Sequence, residues 1–232
     1  VPVMLKRIIP VAILVLGLIL FFALGLDEYA SFDALAGNRR WLIDAVADHV
    51  VLSALIFFLT YATMIAFSIP GGAVMSVAGG FLFGQWFGLL YNVSAATLGA
   101  TILFIAAKWA IGDALRKRAG PWLQRMEEGF RKNAFSYLLA LRLVPAFPFW
   151  AVNLAPALLG VRFSTYVFAT FIGIIPGGFV FSTFGAGIGS ILDAGGEISV
   201  SAILTPQIIT ALVGLAILAL VPVVYRKFKS RS

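Results

Sequence analysis

The chain has 232 residues, 61% of them hydrophobic and 12% charged, with a formal net charge of +7 and a mean hydropathy of +1.02. That is more apolar surface than a soluble domain of this length buries, so the composition is that of an integral membrane protein. With no cysteine and one histidine, His49, disulfides, thiolate chemistry and a histidine-built metal site are excluded.

The apolar runs are about 20 residues long and do not alternate, whereas barrel strands are about 10 residues, so the class is all-α and polytopic. The basic surplus sits in connecting segments and at the C-terminus, which suits anionic headgroups and the positive-inside rule. No patch interleaves basic and aromatic residues, and no nucleic-acid partner is expected. In chain order, Lys6 and Arg7 precede an apolar run from Ile8 to Leu26, long enough to span a membrane. Ala23-Leu24-Gly25 is a loose cleavage pattern, but the apolar core exceeds signal-peptide length, which favours an uncleaved helix. Next, Asp27, Glu28, Asp33, Asp44 and Asp48 stand against Arg39 and Arg40. Phe32, Leu35, Leu42 and Val46 share a helical face there, which predicts a short interfacial helix in a solvated segment. Residues 1–49 therefore form an N-terminal transmembrane helix and an extracytoplasmic interfacial segment.

From Val50 to Tyr91 the apolar sequence is interrupted by Ser68-Ile69-Pro70-Gly71-Gly72, and Gly79, Gly80 and Gly84 follow at spacings that permit close helix contact. A second interrupted stretch runs from Phe135 to Gly178 and holds Arg142 in an apolar run, followed by Pro145, Pro148 and Pro156. Prolines at that spacing disfavour one continuous membrane helix, and irregular backbone at membrane depth is tolerated only where protein or a water-filled cavity covers it. Tyr61 to Pro70 resembles Tyr137 to Pro145, and Gly84 after Phe83 matches Gly160 after Leu159. Each copy is followed by a full-length span, Asn92 to Ile111 and Phe163 to Ile188. The pattern is an inverted repeat of two re-entrant helical hairpins, each followed by a transmembrane helix. The hairpins cover about 50–91 and 135–160 within a core at 50–190, and residues 191–232 supply a last span, roughly Ala202 to Val224, and a basic tail.

Between the copies, Leu115, Ala119, Trp122, Leu123, Met126 and Phe130 recur at helical spacing against Arg116, Lys117, Arg118, Arg125, Arg131 and Lys132. This amphipathic interfacial segment belongs on the cytoplasmic side. With the N-terminus inside, every basic segment falls inside, the acid-bearing loops fall outside, and the hairpins enter from opposite faces. Reading residues 50–67 and 71–91 as separate full spans gives the same parity. The expected location is a cell membrane, inner or plasma, with both termini cytoplasmic.

LLALRLVPAFPFWAVNLAPALLGVRFSTYVFATFIGIIPGG resembles the core motif of the SNARE-associated Golgi protein family, also called VTT-domain proteins, within the DedA superfamily. IPGGAVMSVAGGFLFG followed by ATLGATILFIAAKWAIGD is similar to the first half of the same domain. The similarity covers roughly Ser68 to Gly189 and rests on Arg-Leu-x-Pro-x-x-Pro, an Asn, and Gly-x-x-Pro-Gly in order. It implies two opposed re-entrant hairpins and a membrane lipid transporter that moves phospholipid or polyprenyl-phosphate lipid between leaflets, as a scramblase or flippase. DedA-type members carry a second arginine six residues after the first, with membrane-embedded acids tied to the proton gradient. Here that position is Pro148, and no Asp or Glu lies within an apolar run, which sets the chain nearer the VTT branch.

Helices restarting after Pro70-Gly71-Gly72 and after Pro148 present unpaired N–H groups toward the membrane middle, where they attract anions. Arg142 adds a charge and a forked donor suited to phosphate, with Asn153 as a neutral partner, and these two are the expected substrate-binding residues. The duller readings are that Arg142 caps carbonyls freed by Pro145 or reaches the interface, and that Asn153 is a packing hydrogen bonder. Pro70, Gly71, Gly72, Pro145, Pro148, Gly173, Pro176 and Gly177 are expected to shape the hairpins and their packing. Asp113, Lys108, Gly79, Gly80 and Gly84 are weaker candidates, and Lys108, like Arg162, has the simpler role of snorkelling from a helix end. No GxxxxGK[ST], HExxH or GxSxG motif occurs, so no enzyme activity, cofactor or metal is expected. Membrane lipids are the expected partners, and a homo-oligomer is compatible with the sequence. Two other classes stay open: an ion-coupled secondary transporter of a small anionic solute, and a structural membrane-organising protein.

Overall fold

A computed structural model describes residues 2–25, 28, 34, 37–116, 133–143, 149–193 and 209, and the regular structure among them is helical. Helix α1 is Pro2–Ala23, α2 is Arg39–Asp48, α3 is Val50–Ala66 and α4 is Gly72–Arg116. Helix α5 covers residues 133–143, α6 is Phe149–Leu158 and α7 is Phe163–Asp193. Among the described residues, Gly72–Trp109 of α4 and Phe163–Gly189 of α7 are long and apolar enough to cross a membrane. Helices α2 and α3 pass the same test as a pair bent by 120°. Val51, Trp86, Phe87, Trp109 and Phe168 face outward with 63% to 83% of their surface exposed, a cost in water and the normal surface in lipid. The chain is an α-helical membrane protein with several apolar helices.

The break between α3 and α4 follows from its sequence. Pro70 lacks the N–H that would continue the helical ladder, and Ser68 and Gly71 turn the chain with φ of 55° and 123°. Helix α4 then restarts with Met75 N–H donating to the Gly71 carbonyl at 3.0 Å. The helix that holds Asn92 starts earlier, at Gln85: α4 is broken at Gly84, which takes φ 76° and ψ 175°, and Gly88 and Asn92 come back against Gly79, so the two arms of α4 lie side by side. Gly160, between α6 and α7, takes φ 70°, again a conformation in which an L side chain is strained.

Helices α4 and α7 make the largest helix–helix contact. Gly80 lies against the Ser182 main chain and Gly185 against the Val77 carbonyl, so a methyl group at either place would overlap backbone. Lipid tails give no hydrophobic drive for helices to associate, and small residues supply close van der Waals contact instead. The core follows this rule: Ala62, Ala95, Ala96, Ala100, Ala157 and Ala169 fill the spaces around Phe57, Tyr61, Phe104 and Tyr166. Helix α2 contacts α3 and α4, and Leu42, Ala45 and Val46 line a pocket there with Ile56, Phe57 and Met75. The basic segment from Lys117 to Lys132, Pro145, Pro148 and, apart from Ile209, the span expected from Ala202 to Val224 lie outside the described residues.

Candidate functional site

Tyr166, Thr170 and Gly173 are spaced i, i+4 and i+7 and therefore share one face of α7. That face receives Arg142 of α5. Arg142 Nη2 donates to Tyr166 Oη at 3.1 Å, to Thr170 Oγ1 at 3.0 Å and to Asn153 Oδ1 of α6 at 2.7 Å. Gly173 makes room for the arginine stem, since a Cβ there would stand 2.7 Å from Arg142 Cβ. The fully buried Tyr166 ties the cage to α4, because its hydroxyl lies 3.2 Å from the Ala100 carbonyl and 3.0 Å from Asn153 Oδ1. It has one proton and donates to one of these at a time. Its ring stacks on Phe104 at 4.2 Å, and the guanidinium carbon of Arg142 lies 5.8 Å from its centroid.

Each of these partners is neutral. Among the described residues no carboxylate pairs with Arg142, and the groups that receive its charge there are uncharged dipoles. Arg142 Nε and Asn153 Nδ2 are buried donors with no hydrogen-bond partner among the described residues. Buried donors normally have acceptors, so the cage is short of acceptor oxygens.

A second polar cluster forms where α4 begins. The Tyr61 hydroxyl donates to the Gly72 carbonyl at 2.9 Å and lies 2.7 Å from Ser76 Oγ. Asn92 Nδ2 donates to the Ser76 carbonyl at 2.8 Å and to Ser182 Oγ at 2.9 Å, which joins both parts of α4 to α7. A cavity of about 520 Å³ is lined by members of both clusters, Arg142 with Gly173 from the first and Tyr61, Gly72 and Ser76 from the second. Ile174 and Phe181 add apolar surface to it.

The structure thus brings Arg142 and Asn153 into direct contact and places Pro70, Gly71, Gly72, Gly173 and Gly177 around one cavity. Pro176 sits inside α7, where its missing N–H leaves the Ile172 carbonyl without a helical donor. Gly79 makes space for the Asn92 amide, Gly80 serves the α4–α7 contact and Gly84 makes the bend. Lys108 lies with its ammonium 5.7 Å from the Phe104 ring centroid. Asp113 belongs to α4, with its side chain outside the described residues, as are Pro145 and Pro148. Sequence reasoning missed Tyr166, Thr170, Tyr61, Ser76, Asn92 and Ser182. The available signal was the Tyr166–Thr170–Gly173 spacing, a polar stripe ending in a residue without a side chain. Among the described residues no cluster of His, Asp or Glu is arranged to hold a metal.

Residues 69–187 match the model of the VTT domain, a little over half of the 232 residues. A transmembrane protein 41 homolog from Dictyostelium discoideum is 31% identical over 183 residues, covering 78% of this chain and 53% of its own. The uncharacterized protein YqeD of Bacillus subtilis is 33% identical over 141 residues, 60% of this chain and 67% of its own. Human transmembrane protein 41B is 26% identical over 175 residues, 74% of this chain and 58% of its own. The chain spans little more than half the length of the transmembrane protein 41 relatives. No solved structure matches it. The matched segment runs from the α3–α4 break to the end of the apolar part of α7 and contains the Arg142 cage and, apart from Tyr61 on α3, the second polar cluster: the chain belongs to the VTT-domain family of the SNARE-associated and DedA proteins.

Proposed function

We propose that the protein carries a phospholipid or polyprenyl-phosphate lipid between leaflets, the phosphate passing Arg142 while the tails stay in hydrocarbon. The observation that carries this reading is the state of Arg142: a guanidinium in an apolar span, caged by three neutral oxygens, on the wall of a 520 Å³ cavity. A phosphate supplies what the cage lacks, a countercharge and acceptors in the forked geometry that guanidinium prefers. It would also face the first N–H groups of α4 across the same cavity, at the positive end of the helix dipole.

In this reading the two broken elements are re-entrant hairpins of opposite sense, one turning at Pro70 and the other at Pro145. The positive φ shared by Gly84 and Gly160, which match in the sequence repeat, supports a duplicated unit. Both termini are then cytoplasmic, in an inner or plasma membrane. The test is leaflet exchange of fluorescent lipids in liposomes, read with a membrane-impermeant quencher. Charge-assisted hydrogen bonds are worth about 1.5–3 kcal/mol, so Arg142→Ala should slow exchange at least about tenfold. Equal exchange in the two proteins would remove Arg142 from the path. Uptake of a small anion without lipid exchange would assign the same cage to a solute transporter.

A further inference from the structure

We infer that the Ser76–Tyr61 pair is a headgroup subsite that accepts a hydrogen bond, selecting lipids whose headgroup carries an N–H or O–H donor over those with quaternary ammonium. The inference rests on the lipid-transport reading and adds what that reading leaves open, the class of headgroup. It starts from counting protons. Tyr61 has one hydroxyl proton and gives it to the Gly72 carbonyl at 2.9 Å. The 2.7 Å contact between Tyr61 and Ser76 is then made with the serine proton, Ser76 Oγ donating to Tyr61 Oη. Ser76 Oγ is left with lone pairs only, on the wall of the cavity that also holds Arg142.

The backbone that carries the serine is fixed: its carbonyl accepts from Asn92 Nδ2 at 2.8 Å, and Asn92 is anchored to Ser182 Oγ of α7 at 2.9 Å. Asn92 is a positioning residue here. The cavity is therefore polarised, with donors on the Arg142 wall for a phosphate and an acceptor on the Ser76 wall for whatever the phosphate carries. Among the described residues its lining includes no carboxylate and, as aromatic residues, Tyr61 and Phe181, so these supply neither the counter-ion nor the box of rings that holds a quaternary ammonium. An ethanolamine ammonium or a glycerol hydroxyl satisfies Ser76 Oγ. Choline leaves the Ser76 Oγ lone pairs without a donor.

Stepwise N-methylation separates hydrogen bonding from size, because it removes donors one at a time while phosphate and charge stay the same. Acyl-labelled phosphatidylethanolamine, its N-methyl and N,N-dimethyl derivatives, and phosphatidylcholine are compared in liposomes carrying the full chain. The first three keep at least one N–H and should exchange at similar rates, with phosphatidylcholine about fivefold slower, the equivalent of one net hydrogen bond. In Ser76→Ala the ratio should collapse toward one, and in Tyr61→Phe, where the serine proton is no longer held away from the cavity, it should shrink as well. A ratio measured within one preparation is insensitive to the fraction of folded protein. Equal exchange of all four lipids, still dependent on Arg142, would overturn the subsite and leave lipid transport standing. A smooth decline along the series that persists in Ser76→Ala would reveal a size filter and likewise overturn it. Exchange of none of them would overturn phospholipid transport. Ser76-dependent uptake of free phosphoethanolamine in that case would keep the subsite and move it to a soluble ester.

Discussion

Arg142 is held by geometry that four helices must supply together, and single atoms of that cage can be removed one at a time. Tyr166→Phe keeps the ring stacked on Phe104 but deletes an acceptor for Arg142 and a donor to Asn153 or Ala100. A stability loss of about 1–3 kcal/mol is expected from the buried partners left unmatched, measured by thermal unfolding in detergent, together with slower lipid exchange. Arg142→Lys keeps the charge without the fork and should give an exchange rate between those of the unaltered protein and Arg142→Ala. Gly173→Ala forces a Cβ against the arginine stem and should cost about 1–3 kcal/mol while slowing exchange, because the guanidinium can no longer sit at its present depth. At this scale the sequence is half legible. A lone charge in an apolar run has few roles, so Arg142 stands out, and Asn153 follows from its proximity. Thr170 does not stand out, because Thr101 looks the same in the sequence and yet turns its hydroxyl back onto the Thr97 carbonyl at 2.7 Å. Which threonine serves its own helix and which serves a distant arginine is decided by how the helices pack.

At the scale of the elements, glycines with different tasks should respond differently to the same change. Gly84 bends α4 at φ 76°, and Gly84→Ala should cost about 1–2 kcal/mol from the left-handed conformation alone. Gly177, in the middle of α7 with nothing within 4 Å of a built Cβ, should accept alanine with no loss or a gain of about 0.5–1 kcal/mol. Equal destabilisation by the two substitutions, measured as the unfolding midpoint, would contradict the assigned backbone roles. The break at Pro70 was readable because proline acts through local covalent geometry, which sequence carries directly. The helix that holds Asn92 is expected from sequence to start there, because Gln85 to Tyr91 is compatible with either a hairpin arm or a span. The break at Gly84 starts that helix at Gln85, and the contact of the Asn92 amide with Gly79 folds the two arms of α4 together.

For the whole molecule, the proposed arrangement places Pro70 and Pro145 near mid-membrane, with their hairpins open to opposite faces. Single cysteines beside each proline should resist impermeant thiol reagents from both sides, while cysteines at the hairpin mouths label from opposite sides. Full labelling of either proline neighbourhood from one side would contradict the opposed hairpins. Composition was enough to give the class, since 61% hydrophobic residues leave no soluble alternative. The cavity was not legible, because it is the space left between α4, α5 and α7, with walls drawn from residues more than 100 positions apart such as Tyr61 and Phe181. The most direct measurement uses that space and the natural absence of cysteine. Gly177→Cys puts one thiol on the cavity wall, and leaflet exchange is followed in the same liposomes before and after a bulky, membrane-permeant disulfide-forming reagent. A lipid path past Arg142 predicts that exchange stops as the thiol is modified and returns when reductant frees it. Complete modification with exchange unchanged would mean that the lipid does not pass through this cavity.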